Sequence, residues 1–326
     1  GGGGGWGGGL VRLVAPGAES KNEGLVPASL LEVFTEEFGR RAKDFDPREM
    51  AIAAWALATL KVNPQPDRFD TRFDMSKRSG DDDAGDEGGG GGRGRVPALV
   101  AVEEAAVSCI HLFKPQDFSN LIWAFAKLGH TPGAAFQVEF EEAAIARMPD
   151  FSTQSLANTA YAYAALNLPG ARNVLPFVSV HLSERLTEFS PQELVMLLWA
   201  YSHCKFDPGP EVMGSIEAAA LSLVDLFQPD ELTHYLWAGA ILRYRPTAAF
   251  LAAAEGRIAD CPAKFDAHAV SLTLWVYATL GLAPGDAVLE RFTDELEGML
   301  SSDFRPQDLT LGFWSAAVLV TQPRER

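Results

Sequence analysis

FKPQDFSNLIWAFAKLGHTP, from Phe113 to Pro132, returns 38 residues later as FSTQSLANTAYAYAALNLPG from Phe151. FSPQELVMLLWAYSHCKFDP from Phe189, FQPDELTHYLWAGAILRYRP from Phe227 and FDAHAVSLTLWVYATLGLAP from Phe265 keep the same 38-residue step. FRPQDLTLGFWSAAVLVTQP follows at Phe304, after 39 residues, and FDPREMAIAAWALATLKVNP opens the series at Phe45. With each Phe as position 1, position 11 is a large aromatic in every copy: Trp55, Trp123, Tyr161, Trp199, Trp237, Trp275 and Trp314. Six of the chain's seven tryptophans thus hold one repeat position. A fixed period of this length is the signature of stacked supersecondary units.

Each copy begins as a helix should. Pro47, Pro115, Pro191, Pro229 and Pro306 occupy position 3, where proline's fixed φ and missing N–H suit the first helical residue. Asp46 and Ser190 precede two of them as N-caps, and Asp or Glu at position 5 suits the positive end of the helix dipole. This helix A is expected to run to about position 17, before the prolines at position 20. The second half of each copy, as in AAFQVEFEEAAIARM or AVLERFTDELEGML, spaces apolar residues at i, i+3, i+4 and i+7, a second helix B. No stretch alternates like a strand. The fold class is therefore all-α, an α-solenoid of about seven two-helix repeats of 38 residues, whose neighbours share one core.

Three segments depart from the array. Residues 1–22 are low-complexity and glycine-rich, with GGGGGWGGG at the start. Residues 23–44, with PASLLEVFTEEFGRRAKD from Pro27, read as a helix B whose helix A is missing. The repeat array then spans 45–326, interrupted at 65–95 by an insert containing SGDDDAGDEGGGGGRGR. Loop-closure entropy grows only logarithmically, so such an insert costs little. Arg93 and Arg95 between glycines also resemble an RGG-type segment. The opening on Gly1 and the stop just after Pro323, where a helix B is due, predict that the chain is part of a longer protein.

Three well-separated cysteines, Cys109, Cys204 and Cys261, read as unpaired thiols. The uncharged stretches follow the repeat and read as buried helices, so no membrane span is expected. The six histidines show no metal-binding spacing, and no phosphate loop, dinucleotide fingerprint or nucleophile elbow is present. The expectation is a non-enzymatic protein with no metal and no cofactor.

At 100° per residue, positions 6, 9, 10, 13, 14 and 16 of helix A form an apolar face, and positions 4, 8 and 15 lie opposite. Position 4 carries Gln116, Gln154, Gln192 and His268; position 8 carries Asn120, Asn158 and His234; position 15 carries Lys127 and His203. These nine residues are the candidate RNA-binding set. The stripe varies from copy to copy, as a one-base-per-repeat reader requires. Gln and Asn offer both donor and acceptor to a base edge. A solvent-facing stripe free of packing constraint also varies, so both readings stand. The position-11 aromatics likewise read as wedges between units or as base-stacking platforms.

The pattern F-x-P-Q-D/E-L-x-N-x-x-W-A-x-A-x-L-G, clearest in FKPQDFSNLIWAFAKLG and FSTQSLANTAYAYAALN, closely resembles the octotricopeptide repeats of algal and protist organelle proteins. It is also similar to the helical repeats of FAST-kinase-like and RAP-domain proteins. It covers Phe45 to Pro323 and is weakest at Phe265, where Ala267 and His268 replace Pro-Gln. The resemblance implies a single-stranded RNA partner, an organellar transcript in a mitochondrion or plastid, and a role in its processing, stability or translation. Other ribonucleoprotein subunits are further candidate partners.

The net charge of −16 runs against the basic footprint usual for RNA binders. The insert, with eight acidic and six basic residues, accounts for little of it. Helix A is nearly neutral, so the acid lies on helix B, at Glu139, Glu141, Glu142, Asp294, Glu295 and Glu297 among others. That layout suits RNA on the A face, or, as the alternative, a protein-binding scaffold that assembles a ribonucleoprotein complex without touching RNA.

Overall fold

The computed structural model describes residues 28–61, 96–299 and 304–321. The glycine-rich 1–22 segment and the 65–95 insert lie outside the described residues. The helices, in chain order, are α1 (Ala28–Arg40), α2 (Pro47–Lys61), α3 (Pro97–Cys109), α4 (Pro115–Lys127), α5 (Ala134–Arg147), α6 (Thr153–Ala165) and α7 (Ala171–Glu184). They continue with α8 (Pro191–His203), α9 (Pro210–Ser222), α10 (Pro229–Ile241), α11 (Ala248–Asp260), α12 (Ala267–Leu280), α13 (Asp286–Glu297) and α14 (Pro306–Thr321). No strand occurs among the described residues.

The even-numbered helices are the A helices and the odd-numbered ones the B helices. Each set packs in series, α2 on α4 on α6 and onward to α14, and α1 on α3 on α5 and onward to α13. The chain is an all-α solenoid of two helical layers. The A helices sit closer together than the B helices do. Buried alanine at position 12, as Ala124, Ala162, Ala200 and Ala238, permits that approach. The Phe of position 1 leaves a one-turn 3₁₀ segment (110–112, 148–150, 186–188 or 224–226) in extended conformation and is buried. It anchors each unit on the one before.

The helix starts follow the sequence logic. The carboxylate at position 5 accepts the backbone N–H of position 2: Asp117 from Lys114, Glu193 from Ser190 and Glu231 from Gln228, at 2.8–2.9 Å. Asp46 Oδ1 accepts from Glu49 N at 2.8 Å, and Ser190 Oγ from Glu193 N at 3.3 Å. These capping boxes satisfy N–H groups that the helix itself leaves orphaned.

A second set of carboxylates ties unit to unit. Position 29, on helix B, is Glu103, Glu141, Glu217 and Glu255. Each reaches the start of the next B helix. Glu103 Oε2 accepts from Gly133 N at 2.8 Å, Glu217 from Thr247 N at 3.1 Å and Glu255 from Gly285 N at 3.1 Å, while Glu141 accepts from Asn173 Nδ2 at 2.7 Å. A Cβ on Gly170 would stand 1.8 Å from Glu141 Oε2, so a side chain there would push that carboxylate aside. The next A helix or the turn that ends it adds a polar partner: His130 Nε2 to Glu103 at 2.5 Å and Tyr277 Oη to Glu255 at 2.9 Å. Where position 29 is Ser179, its hydroxyl pairs with Tyr201 Oη at 2.8 Å. Part of the helix B acid is thus structural mortar and unavailable to a partner.

Candidate nucleic-acid interface

The four sides of an A helix decide what it can offer a ligand. Its own B helix covers one side, and the A helices before and after cover two more. Only a narrow strip remains for solvent, narrower than a wheel with one apolar face allows. Position 4 is on it: Gln116 and Gln192 are exposed, and Gln154 and His268 half-buried. Position 8 sits deeper, toward the neighbouring A helix. Asn120 and Asn158 are half-buried, Leu272 is 2% exposed and His234 4% exposed. The expectation that position 8 lies opposite the core therefore fails in the later units, and His234 is corrected from a surface residue to a buried one.

His234 and its neighbour His268 serve the fold. His234 Nδ1 lies 2.6 Å from the Asp230 carbonyl, one turn back in α10. His268 Nδ1 lies 2.9 Å from Asp308 Oδ1 of the next unit, and Arg305 holds the same carboxylate at 2.9 Å. Burial pushes the Asp308 carboxyl up, but the hydrogen bonds from Arg305 and His268 outweigh it and hold the group below its ordinary value.

Desolvation lowers the His234 pKa from 6.5 to about 4, against the opposing hydrogen bond to Asp230. The unfolded chain takes up this proton at the ordinary value and the folded chain only near the lower one. Stability from His234 is therefore full above pH 6.5 and drains away as pH falls toward about 4. The contribution at stake is on the order of 3 kcal/mol. His234→Leu, which keeps the apolar volume, should show a correspondingly smaller loss between pH 7 and pH 4 in urea denaturation. Parallel losses in the two proteins would rule out His234 as the source.

The second to fourth units present a different surface. The side chains of Gln116, Asn120, Gln154, Asn158 and Gln192 form no hydrogen bond among the described residues. They lie on three consecutive A helices, α4, α6 and α8, which pack directly on one another. Beside them runs a connected row of rings. Lys127 Nζ stands 5.5 Å from the Trp123 ring centre and 5.3 Å from that of Tyr161. Tyr161 meets Trp199 at 5.1 Å, and Trp199 stacks on His203 at 4.9 Å with 16° between planes. His203 Nε2 in turn bonds Asn167 Oδ1 at 3.0 Å, across the unit boundary. Trp123 and Tyr161 are half-buried, whereas Trp199, Trp237 and Trp275 are 4%, 7% and 1% exposed. The later tryptophans are wedges between units; the two early aromatics keep a face toward solvent.

Of the nine residues expected at the interface, Gln116, Asn120, Gln154, Asn158 and Gln192 lie at or near the open strip, and Lys127 and His203 join it through the ring row. His268 is half-buried in its ion pair, and His234 is removed by burial. The corner after each A helix, where Asn167, Lys205 and Arg243 are exposed, falls outside the helical wheel and carries no periodic signal. Their φ values are positive, 51°, 51° and 57°, like those of Gly129 and Gly281 at the same position.

The cysteines are free, and burial pushes the Cys204 thiol up to about 11 and the Cys109 thiol above its ordinary value. Thiols held protonated in this way are poor nucleophiles. Among the described residues no helix is long and apolar enough to cross a membrane, and no cluster of three His, Cys, Asp or Glu side chains forms a metal site. No protein-family model and no curated protein matches the chain.

Proposed function

We propose that this chain is a non-enzymatic helical-repeat protein that binds single-stranded RNA along the open strip of its A helices. The observation that carries the reading is the run of five amide side chains that the fold leaves without hydrogen-bond partners on three adjacent units. In a structure whose caps and unit junctions are closely satisfied, such amides are idle donors and acceptors at the spacing of a repeat. The neighbouring Trp123, Lys127 and Tyr161 supply rings for base stacking and a cation for phosphate. The resemblance to octotricopeptide repeats adds an organellar transcript, mitochondrial or plastid, as the RNA concerned, and its processing, stability or translation as the role.

Asn120→Ala with Asn158→Ala tests the reading. Both side chains are half-buried and unbonded, so the fold should survive with little loss of stability. Affinity for a preferred sequence selected from a random RNA pool should weaken by about 1–3 kcal/mol per lost base contact. Unchanged binding would remove position 8 as the reader.

The protein-scaffold reading draws on one observation, the acid of the B layer. Glu139 and Glu142 of α5 and Glu290 and Glu297 of α13 are exposed, in a chain of net charge −16. A scaffold of that kind predicts no measurable RNA affinity in the wild type.

A further inference from the structure

Every internal A helix ends in a left-handed residue at position 17: Gly129 (φ 65°), Asn167 (51°), Lys205 (51°), Arg243 (57°) and Gly281 (66°). The geometry closes the helix. The residue after position 17 sends its N–H back to the carbonyl of position 13, as His130 to Phe125, Phe206 to Tyr201 and Tyr244 to Gly239, all at 2.9 Å. Glycine adopts this conformation freely and asparagine tolerates it, but a long side chain with a Cβ is disfavoured. Two sister units show that glycine does the job. Lysine and arginine at the same corner in consecutive units therefore need another reason.

The helix dipole does not supply it. A cation near a helix C-terminus is favoured, yet α12 has no basic residue in its last turn and still ends on Gly281. Ion pairing does not supply it either. Lys205 and Arg243 are exposed and form no ion pair among the described residues. Their surroundings are locally basic within an acidic chain. Positions 15–19 of the five internal units hold Lys127, Lys205, Arg243 and Arg245 against the single acid Asp207. The corner also adjoins the ring row, since Asn167 at position 17 bonds His203 of the next unit, two residues before Lys205. Lys205 and Arg243, held at a conformational cost without an ion pair and close to the ring row, form a surface suited to a polyanion.

We infer that the position-17 corners are the track of the RNA's phosphodiester backbone, with Lys205 and Arg243 contacting neighbouring phosphates. The inference rests on the RNA reading above. It sets the strand across the C-terminal ends of the A helices, with bases turned toward the ring row of positions 11 and 15. The corners repeat at the spacing of packed helices, about 8–10 Å, which long, jointed Lys and Arg side chains can bridge.

Lys205→Gly with Arg243→Gly provides a test in which affinity and stability part company. Binding of labelled oligouridine and of a random-sequence RNA pool would be followed as a function of salt. The slope of log K against log salt should shrink by about 0.7 per cation removed, for both probes alike. The denaturation midpoint should not fall, because glycine relieves the corner. Gly129→Lys is the converse: no atom lies within 4 Å of the Cβ it would add. It should steepen the slope by about 0.7. An unchanged slope with binding intact would overturn the track while leaving the RNA reading standing. A midpoint that falls in step with affinity would overturn it too, by making both residues structural. Absence of RNA binding in the wild type would remove the reading and the track together.

Discussion

Trp275→Ala is expected to lower the unfolding free energy by about 3–5 kcal/mol, the cost of emptying a large aromatic from a closed core. Trp275 is 1% exposed and is the largest fully buried side chain among the described residues. It stands in α12 between α10 and α14, so the void opens at unit junctions on both sides. Trp123 occupies the same repeat position but keeps part of its ring in solvent under the Lys127 ammonium. Trp123→Ala should therefore cost only about 1–2 kcal/mol, within the ordinary range of point substitutions. Urea denaturation of the two variants beside the wild type measures both values. Equal costs would mean that position 11 has one role throughout the array and that early units offer no open ring to a ligand. In a solenoid each unit contacts only its neighbours, so the Trp275 variant should also lose cooperativity, with the late units melting first.

Much of this architecture is legible in the chain because the repeat writes each rule several times. One proline before an apolar run is weak evidence for a helix start. Pro47, Pro115, Pro191, Pro229 and Pro306 at one register, each two residues before a carboxylate or a glutamine-carboxylate pair, leave little freedom. The solenoid class follows from period and amphipathicity alone. Exposure does not, because a helical wheel knows the axis of one helix and nothing of its neighbours. His234 and Asn158 share position 8, yet one is buried and the other is half-open. In the first case the adjacent unit brings a His268 ring centre to 6.5 Å.

Other features were written in the sequence but needed the structure to be noticed. Glutamate recurs at position 29 with the same 38-residue step as the tryptophans, at Glu103 and Glu141 and again at Glu217 and Glu255. In an acidic helix B these four merge with exposed glutamates, and nothing in composition separates them. Geometry does, because Glu103 and Glu217 are each 4% exposed. The same holds at position 17, where Gly, Asn, Lys, Arg and Gly look unrelated until all five prove to share a left-handed backbone. A column of mixed residue types hides a constant conformation.

The position-29 carboxylates should be among the costliest polar residues to remove, and Glu103→Ala is the sharpest case. The His130 tautomer is set by its bonds. Nδ1 accepts the Val96 N–H at 2.8 Å, so Nε2 carries the hydrogen and donates to Glu103 Oε1 at 2.5 Å. Glu103 Oε2 accepts the Gly133 N–H at 2.8 Å. With the His130 side chain 0% and the Glu103 side chain 5% exposed, water does not readily replace what alanine takes away. The buried His130 Nε2–H and the part-buried Gly133 N–H then lose their acceptor, at about 1–3 kcal/mol each. A loss of about 2–6 kcal/mol is expected, the sum over the two orphaned donors. Glu103→Gln should not rescue it. Both partners are donors, and a carboxamide brings one acceptor and two further donors, so one N–H would be forced against another. Destabilisation by about 1–3 kcal/mol should persist in this nearly isosteric variant. A double-mutant cycle with His130→Ala isolates the pair, and a coupling near zero would show that the two side chains are merely adjacent. A glutamine variant as stable as the wild type would demand a different tautomer, with the histidine accepting where it is now assigned to donate.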